Sequence, residues 1–198
     1  MLETPPLFKL TDAEVVAYSL ADRSYFAVIV DRFEDKLIRY IKRLGIYTHE
    51  DRQDILQEIF IKVYRNLNGF DNTLSFSSWI YRIAHNETIS WYRKQNVRPE
   101  GHLVTDSEEI FMFIPDDGQS LEVLVDGEIN AMTLRQSLAE LDVKYRDPII
   151  LRFFEYKEYD EISDILKIPI GTVGTLISRG KTKLLGILSQ KQLTKNKL

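Results

Sequence analysis

Apolar residues recur at helical spacing from about residue 12 to 96 and again from about 128 to 185, and between these stretches the pattern stops. Two periodic blocks interrupted in this way cannot share one amphipathic element, so each must bury its own stripe. The chain is therefore read as all-α. Two small helical domains, 1–98 and 131–198, are joined by a linker over 99–130. Gly and Pro number only 9 and 6, too few for the turn-dense plan of an all-β protein. Hydrophobic residues at 44% suffice for one or two small cores.

The net charge of −4 conceals a segregation. Residues 1–22 carry −3, residues 23–98 carry +4, residues 99–130 carry −9 with no Lys or Arg, and residues 131–198 carry +4. Two mildly basic blocks flanking an anionic connector suit two modules that face nucleic acid. Two unrelated helical domains with a solvated linker would show the same distribution. Cys is absent, which excludes disulfides and thiolate metal sites. His49, His85 and His102 stand at no metal-ligand spacing. No apolar run of about 18 residues and no basic-then-apolar leader is visible, so a cytoplasmic protein without membrane insertion is expected.

In chain order, Thr11 and Glu14 form a capping-box signature ahead of Val15, Val16 and Leu20, and Pro5 and Pro6 keep the preceding chain extended. A second helix is predicted over 22–44, with Phe26, Ile29, Val30, Phe33, Leu37, Ile41 and Leu44 inward and Gly45 ending it. A third covers 50–67. It turns Ile55, Ile59, Val63 and Leu67 inward, Phe60 and Tyr64 to the flanks, and Asp51, Asp54, Gln57, Glu58, Lys62 and Arg65 outward. A turn-rich loop, Asn68 to Thr73, leads into a fourth helix whose apolar stripe is Phe76, Trp79, Ile80, Ile83 and Ala84, continued by Trp91. Beside that stripe Arg82, Asn86, Ser90 and Arg93 share one face, a set suited to phosphates, base edges and unstacked bases. An ordinary solvated helix face would look similar.

From Pro99 to about Gly127 acids mix with isolated apolar residues, Ile110 to Ile114 among them, and no stable structure is expected. Periodicity returns near Glu128 with Leu134, Leu138 and Leu141. A helix over 145–154 follows, with Ile149, Ile150 and Phe153. A short helix marked by Ile162, Ile165 and Leu166 then meets a tight turn through Lys167, Ile168 and Pro169. The next helix starts near Gly171 or Thr172 with Val173, Ile177 and Leu184 inward, and beyond Leu185 a short basic tail is expected. Two short helices joined by a brief turn read as a helix-turn-helix, or as an αα-hairpin within a bundle. The outer face of the second presents Thr172, Gly174, Thr175, Ser178, Arg179 and Thr182, with Lys181 and Lys183 to the sides. Small hydroxyl residues and arginine can approach a major groove.

At these residues the chain resembles the extracytoplasmic-function (ECF, group IV) alternative sigma factors of bacterial RNA polymerase. DRQDILQEIFIKVYRNL (51–67) resembles the polymerase-binding helix of their region two, and FSSWIYRIAHN (76–86) the start of the promoter-melting helix. YDEISDILKIPIGTV (159–173) resembles the helix-turn-helix of region four. Each motif alone is weak, but the family's order and a linker of plausible length make the set specific.

The resemblance implies a sigma factor that binds core polymerase, directs it to promoters and melts the downstream (minus-10) element. It places Asp54, Gln57, Glu58, Lys62 and Arg65 against the clamp helices of the large subunit, and region four near the flap. Phe70 and Asn86 would capture a flipped base, with Arg82, Arg93 and Lys94 on backbone phosphates and Ser90 on the same stripe. Thr172, Gly174, Thr175, Ser178, Arg179, Lys181 and Thr182 would read the upstream (minus-35) element. An anti-sigma partner is implied, and neither catalysis, cofactor nor metal is. The acidic linker would complement basic channels of the polymerase, or serve as a solvated spacer.

Three departures stand out. Gly174 and Leu176 occupy positions where many family members are basic, so this recognition helix is less cationic. Gly174 and Gly180 each cost a helix about 1 kcal/mol of propensity. Glu87 falls on the apolar side of the fourth helix and calls for a polar partner at the edge of the core. Two other readings remain at this point: an operator-binding dimer, and an adaptor whose helices bind only protein. No P-loop, dinucleotide fingerprint or nucleophile motif supports an enzyme.

Overall fold

The computed structural model describes residues 10–97 and 131–195, in two compact units, one of residues up to Gln95 with Asp164–Leu166 and one of the rest. The expectations for Pro5 and Pro6, for the acidic linker with its apolar residues 110–114, and for the return of periodicity at Glu128 lie outside the described residues. All regular structure among the described residues is helical.

The first unit holds α1 (Asp12–Ala21), α2 (Phe26–Arg43), α3 (His49–Asn66) and α4 (Phe76–Val97). The capping box at α1 forms in full: Glu14 N donates to Thr11 Oγ1, and Thr11 N donates to Glu14 Oε2 at 2.7 Å. Val15 and Val16 are buried, but Leu20 is 47% exposed and Ser19 takes its inward place, its hydroxyl donating to the Val15 carbonyl. The first helix thus turns a little further than its apolar residues suggest. Asp22 accepts from Ser24 N and starts a 3-10 turn, Arg23–Tyr25, so α2 begins at Phe26 rather than at Asp22. Arg32 on α2 reaches back to Asp12 and to the Leu10 carbonyl and fixes α1 against it. Gly45 ends α2 at φ +109, where a Cβ would meet the Tyr92 hydroxyl at 2.6 Å. That hydroxyl donates to the Leu44 carbonyl, binding the end of α2 to α4.

Ile29, Phe33, Leu37, Tyr40 and Ile41 from α2 form the centre of this core with Ile55, Ile59 and Val63 from α3 and Ile80 and Ala84 from α4. Past Ala84 the buried face of α4 follows Thr88, while Trp91 stays half-exposed. The expected continuation through Trp91 holds in register, since 91 falls between 80 and 84 on the helix, but the ring is only half-buried.

The second unit holds α5 (Ala131–Ala139), α6 (Val143–Phe153), α7 (Tyr159–Leu166) and α8 (Ile170–Lys195). Leu138, Leu141, Ile149, Leu184 and Leu188 make one core cluster. Asp142 caps α6 by accepting from Lys144 N, and this bond holds its carboxyl below the ordinary carboxylate value. Between α7 and α8, Lys167 adopts the left-handed conformation, the Ser163 hydroxyl donates to the Ile168 carbonyl, and Pro169 leads into the next helix.

α8 begins at Ile170 and does not stop near Leu185. The stretch expected to be a tail is helix to Lys195, because Leu188 keeps the inner register of Leu184 and Lys191 pairs with Glu140 at 2.6 Å. At Gly180 α8 passes close to α6. A Cβ there would lie 2.7 Å from Ile149 Cδ1 and 3.3 Å from the Tyr145 carbonyl oxygen. Its poor helix propensity is the condition of that approach.

Candidate polymerase and promoter interfaces

On α3 the core positions fix what faces out. With Ile55, Ile59 and Val63 buried, the opposite side carries Asp54, Gln57, Glu58 and Arg65, all exposed. The centre of this face is Ile61, 37% exposed, and Tyr64, 40% exposed, lies at its edge. Tyr64 makes an edge-on contact with Phe26, and Phe26 another with Phe60. Beside them a groove of about 320 Å³ runs between α2 and α3, lined by Val30, Glu34, Gln53, Asp54, Leu56, Gln57 and Phe60. Sequence reasoning found the polar residues and passed over Ile61 and Glu34. The signal for Ile61 was present, since it stands three or four residues from Gln57, Glu58 and Arg65 on an outward face.

Lys62 has a further attachment. Its Nζ lies 2.5 Å from Glu87 Oε1, the Lys side chain 45% and the Glu side chain 13% exposed. This is the polar partner that Glu87 needed at the core's edge, and it ties α3 to α4.

α4 divides the residues expected to face the promoter by depth. Asn86, Arg93 and Lys94 are exposed, and Arg82 and Ser90 are half-buried. His85 Nδ1 lies 3.1 Å from the Tyr40 hydroxyl, so this helix carries polar ties into its core face as well. Phe70 is half-buried. Its ring packs 5.3 Å from Phe76 and 5.2 Å from Trp79, and Phe76 in turn meets Phe33. The following loop is ordered by Asp71, which accepts from both the backbone N and the hydroxyl of Thr73, and these bonds hold its carboxyl below the ordinary carboxylate value. Phe70 thus joins an aromatic cluster at the start of α4, on a loop held by an Asp turn.

On α8, Thr172, Thr175, Ser178, Arg179 and Thr182 are exposed, opposite the buried Val173, Ile177 and Leu184. Thr175 donates its hydroxyl to the Gly171 carbonyl and Thr182 to the Ser178 carbonyl. Each then presents outward an acceptor oxygen and a methyl group, groups able to match a cytosine or adenine amino group and a thymine methyl. Lys181 is half-buried with its Nζ over the Phe153 ring at 5.6 Å, and Lys183 lies over Tyr145 at 5.4 Å. Gly174 is half-buried beside Tyr159. Among the described residues no cluster of His, Asp or Glu could hold a metal, and no helix is long and apolar enough to cross a membrane.

Comparison with known proteins agrees with this division. The sigma-70 region 2 family model matches residues 29–98 and the sigma-70 region 4 model residues 131–184. The ECF RNA polymerase sigma factor SigW of Bacillus subtilis is 39% identical over 82% of this chain and 88% of its own length. The RNA polymerase sigma-H factor of Pseudomonas aeruginosa is 32% identical over 81% and 84%. Among solved structures, CnrH in complex with the cytosolic domain of CnrY matches with a TM-score of 0.66 at 20% identity, over 90% of this chain and 97% of that one. The sigma factor RpoE in complex with the anti-sigma factor NepR, from Bartonella quintana, matches at 0.61 and 19%, over 83% and 96%. At such identities these two establish the fold. The ordered pair of domains and the long SigW match establish more: this chain belongs to the ECF sigma factors, and its function is promoter-specific initiation of transcription.

Proposed function

We propose that the outer face of α3 docks on the clamp helices of the polymerase large subunit, with the second unit near the flap. Asp54, Gln57, Glu58 and Arg65 supply the polar contacts and Ile61 the apolar centre; Lys62 contributes from the rim while bonded to Glu87. Asn86 captures a base flipped from the minus-10 element, Phe70 offers it a stacking ring, and Arg82, Ser90, Arg93 and Lys94 hold the backbone. The outer face of α8 (Thr172, Gly174, Thr175, Ser178, Arg179, Lys181 and Thr182) reads the minus-35 element. The protein works in the cytoplasm, performs no bond chemistry itself, and is held in check by an anti-sigma partner. The solved complex of Bartonella RpoE with the anti-sigma factor NepR supports that last point.

The observation that carries the reading is the outer face of α3, where polar residues surround an exposed isoleucine outside the buried core. A polar rim around an apolar centre is the anatomy of a protein interface. At 37% exposure Ile61 offers roughly 70 Å² of surface, about 1.5–2 kcal/mol when buried. Ile61→Ala is therefore expected to weaken polymerase binding about tenfold, and Asp54→Ala with Gln57→Ala to weaken it further, with unchanged circular dichroism. Co-elution with cognate core polymerase on a sizing column reads both. Stoichiometric binding by the double mutant would remove α3 from the interface. Asn86→Ala is expected to bind polymerase and fail to open promoters; equal melting by mutant and wild type would remove Asn86 from the mechanism.

A further inference from the structure

His85, Asn86 and Glu87 are consecutive on α4 and turn in three directions. With about 100° between neighbours, exposed Asn86 points away from the buried face of Ile80, Ala84 and Thr88, while His85 and Glu87 flank it on opposite sides of the helix. Each flank is tied to a different helix. His85 Nδ1 lies 3.1 Å from the hydroxyl of Tyr40, a fully buried residue of α2. Glu87 Oε1 accepts from Lys62 Nζ of α3 at 2.5 Å, and the Glu87 side chain is only 13% exposed. On the same side as His85, two turns further on, the Tyr92 hydroxyl donates to the Leu44 carbonyl at 3.1 Å.

These bonds supply what the apolar stripe lacks. Apolar burial is non-directional, so Ile80 and Ala84 hold α4 to the core more firmly than they oppose its rotation. Thr88, on the same stripe, donates its hydroxyl to the Ala84 carbonyl within α4 itself. Hydrogen bonds are directional, and two of them on opposite flanks resist rotation in both senses. That rotation matters at Asn86. A side-chain amide stands about 5–6 Å from its helix axis, so a turn of about 20° moves it about 2 Å, too far for donor and acceptor to stay bonded. Stability alone does not call for glutamate at 87, because an apolar side chain would cover that edge without desolvating a carboxylate.

We infer that His85 and Glu87 are positioning residues for base capture: bonded to Tyr40 of α2 and Lys62 of α3, they fix the rotation of α4 and so aim the Asn86 amide at the flipped base. Their role rests on the reading of Asn86 as the base-capturing residue and adds to it two residues that need not touch DNA.

The test uses holoenzyme formed from the full chain and core polymerase. The probes are single-stranded non-template oligonucleotides of the minus-10 element, intact or with one abasic site at each position in turn. At one position wild type should prefer the base over the abasic site by about 30-fold, the range of one stack and one hydrogen bond together. Asn86→Ala should reduce this preference to about 5-fold. Glu87→Met and Tyr40→Phe are each expected to reduce it to about 10-fold, and neither should change it further in an Asn86→Ala chain. Affinity for the abasic strand should stay within about twofold of wild type, since Arg93 and Lys94 still hold the backbone. A loss of stability alone would weaken every strand alike and leave the preference unchanged. Methionine fills the space of Glu87 and lets Lys62, 45% exposed, return to solvent, and Tyr40→Phe keeps its ring, so both chains should show wild-type circular dichroism. Wild-type preference in folded Glu87→Met would overturn the role of Glu87, and in folded Tyr40→Phe that of His85. A full further loss when either is added to Asn86→Ala would overturn both. If Asn86→Ala itself keeps the wild-type preference, base capture by Asn86 falls and the positioning role with it; if only the other two keep it, the positioning role alone falls.

Discussion

α8 contains three glycines at interior positions, and the structure assigns opposite signs to their replacement by alanine. Each exchange gains about 1 kcal/mol of intrinsic helix stability. At Gly186 a Cβ meets nothing within 4 Å, and at Gly174 it meets the Tyr159 ring at an ordinary 3.5 Å, so both exchanges should stabilise the second unit. At Gly180 the same atom presses on Ile149 Cδ1 at 2.7 Å and on Tyr145 Cβ and O at 3.2 and 3.3 Å. The isoleucine tip can turn, but Ile149 is fully buried, and the Tyr145 carbonyl is backbone. Overpacking of this kind costs about 1–3 kcal/mol, and with two backbone-anchored contacts the upper part of that range applies. After the propensity gain, Gly180→Ala should lose about 1–2 kcal/mol, some 4–15 °C for a unit of this size. The chain's two tryptophans, Trp79 and Trp91, both lie in the first unit. Far-UV circular dichroism should therefore show the shift while tryptophan fluorescence does not. A Gly180→Ala chain more stable than wild type would refute the close approach of α8 to α6. A fluorescence midpoint that moves with it would refute independent unfolding of the two units.

Other outcomes follow from single contacts in the two units. Glu87→Gln should lower the fluorescence-monitored midpoint by about 1 kcal/mol, and a double-mutant cycle with Lys62→Met should return a coupling of at least about 0.5 kcal/mol, above the usual surface pair because Glu87 is mostly covered. Gly45→Ala should destabilise the first unit by about 2 kcal/mol, and Tyr92→Phe in the same chain should restore only part of that loss, since the strain at φ +109 persists when the hydroxyl is gone. The capping carboxyls of Glu14, Asp22 and Asp142 are held below their ordinary values of 4.5, 3.8 and 3.8 by bonds from backbone N–H groups. Groups depressed in the folded state stabilise it above the unfolded value and cease to do so as pH falls through the folded one, so stability should decline from about pH 4.5 downward. Asp142→Asn keeps a capping oxygen without a titrating group and should flatten that decline for the second unit in a dichroism titration.

The helices were legible because each carries an apolar stripe, and the turn at Lys167–Pro169 because Pro169 stands between two such stripes, while the left-handed conformation of Lys167 emerged only from the structure. What was not legible depended on partners distant in sequence. Leu20 fits the α1 pattern by composition, yet the direction α1 faces is set by Arg32 gripping Asp12, twenty residues away. Gly186 and the Gln- and Lys-rich residues after it resemble a tail, and only the Glu140–Lys191 pair and the burial of Leu188 reveal a helix. The polar faces of α3, α4 and α8 were legible as faces, since helical geometry alone aligns them. The bond from Lys62 to Glu87, the packing of Phe70 and the contact of His85 with Tyr40 were not, because each depends on how two helices cross.

If Phe70 opens promoters as proposed, its packing bears on how such a residue can be stored before DNA arrives. A phenylalanine fully exposed on a loop would be a liability in the free protein, and one buried in the core would be unavailable. Phe70 is half-buried at the rim, against Phe76 and Trp79. Aromatic pairs of this kind contribute about 0.5–1.5 kcal/mol beyond area burial. Stacking of a base on an aromatic side chain contributes about 1–3 kcal/mol. If the base stacks on the outer face of the ring, the cluster behind it stays intact and serves as a rigid backing. If the ring must swing out, losing one such pair is offset by the stack it gains. In either case the ring does not recover the few kcal/mol that unstacking a base requires. On the proposed reading the larger share comes from the groups that would hold the base and strand once separated: Asn86, Arg93 and Lys94 at the exposed surface of α4.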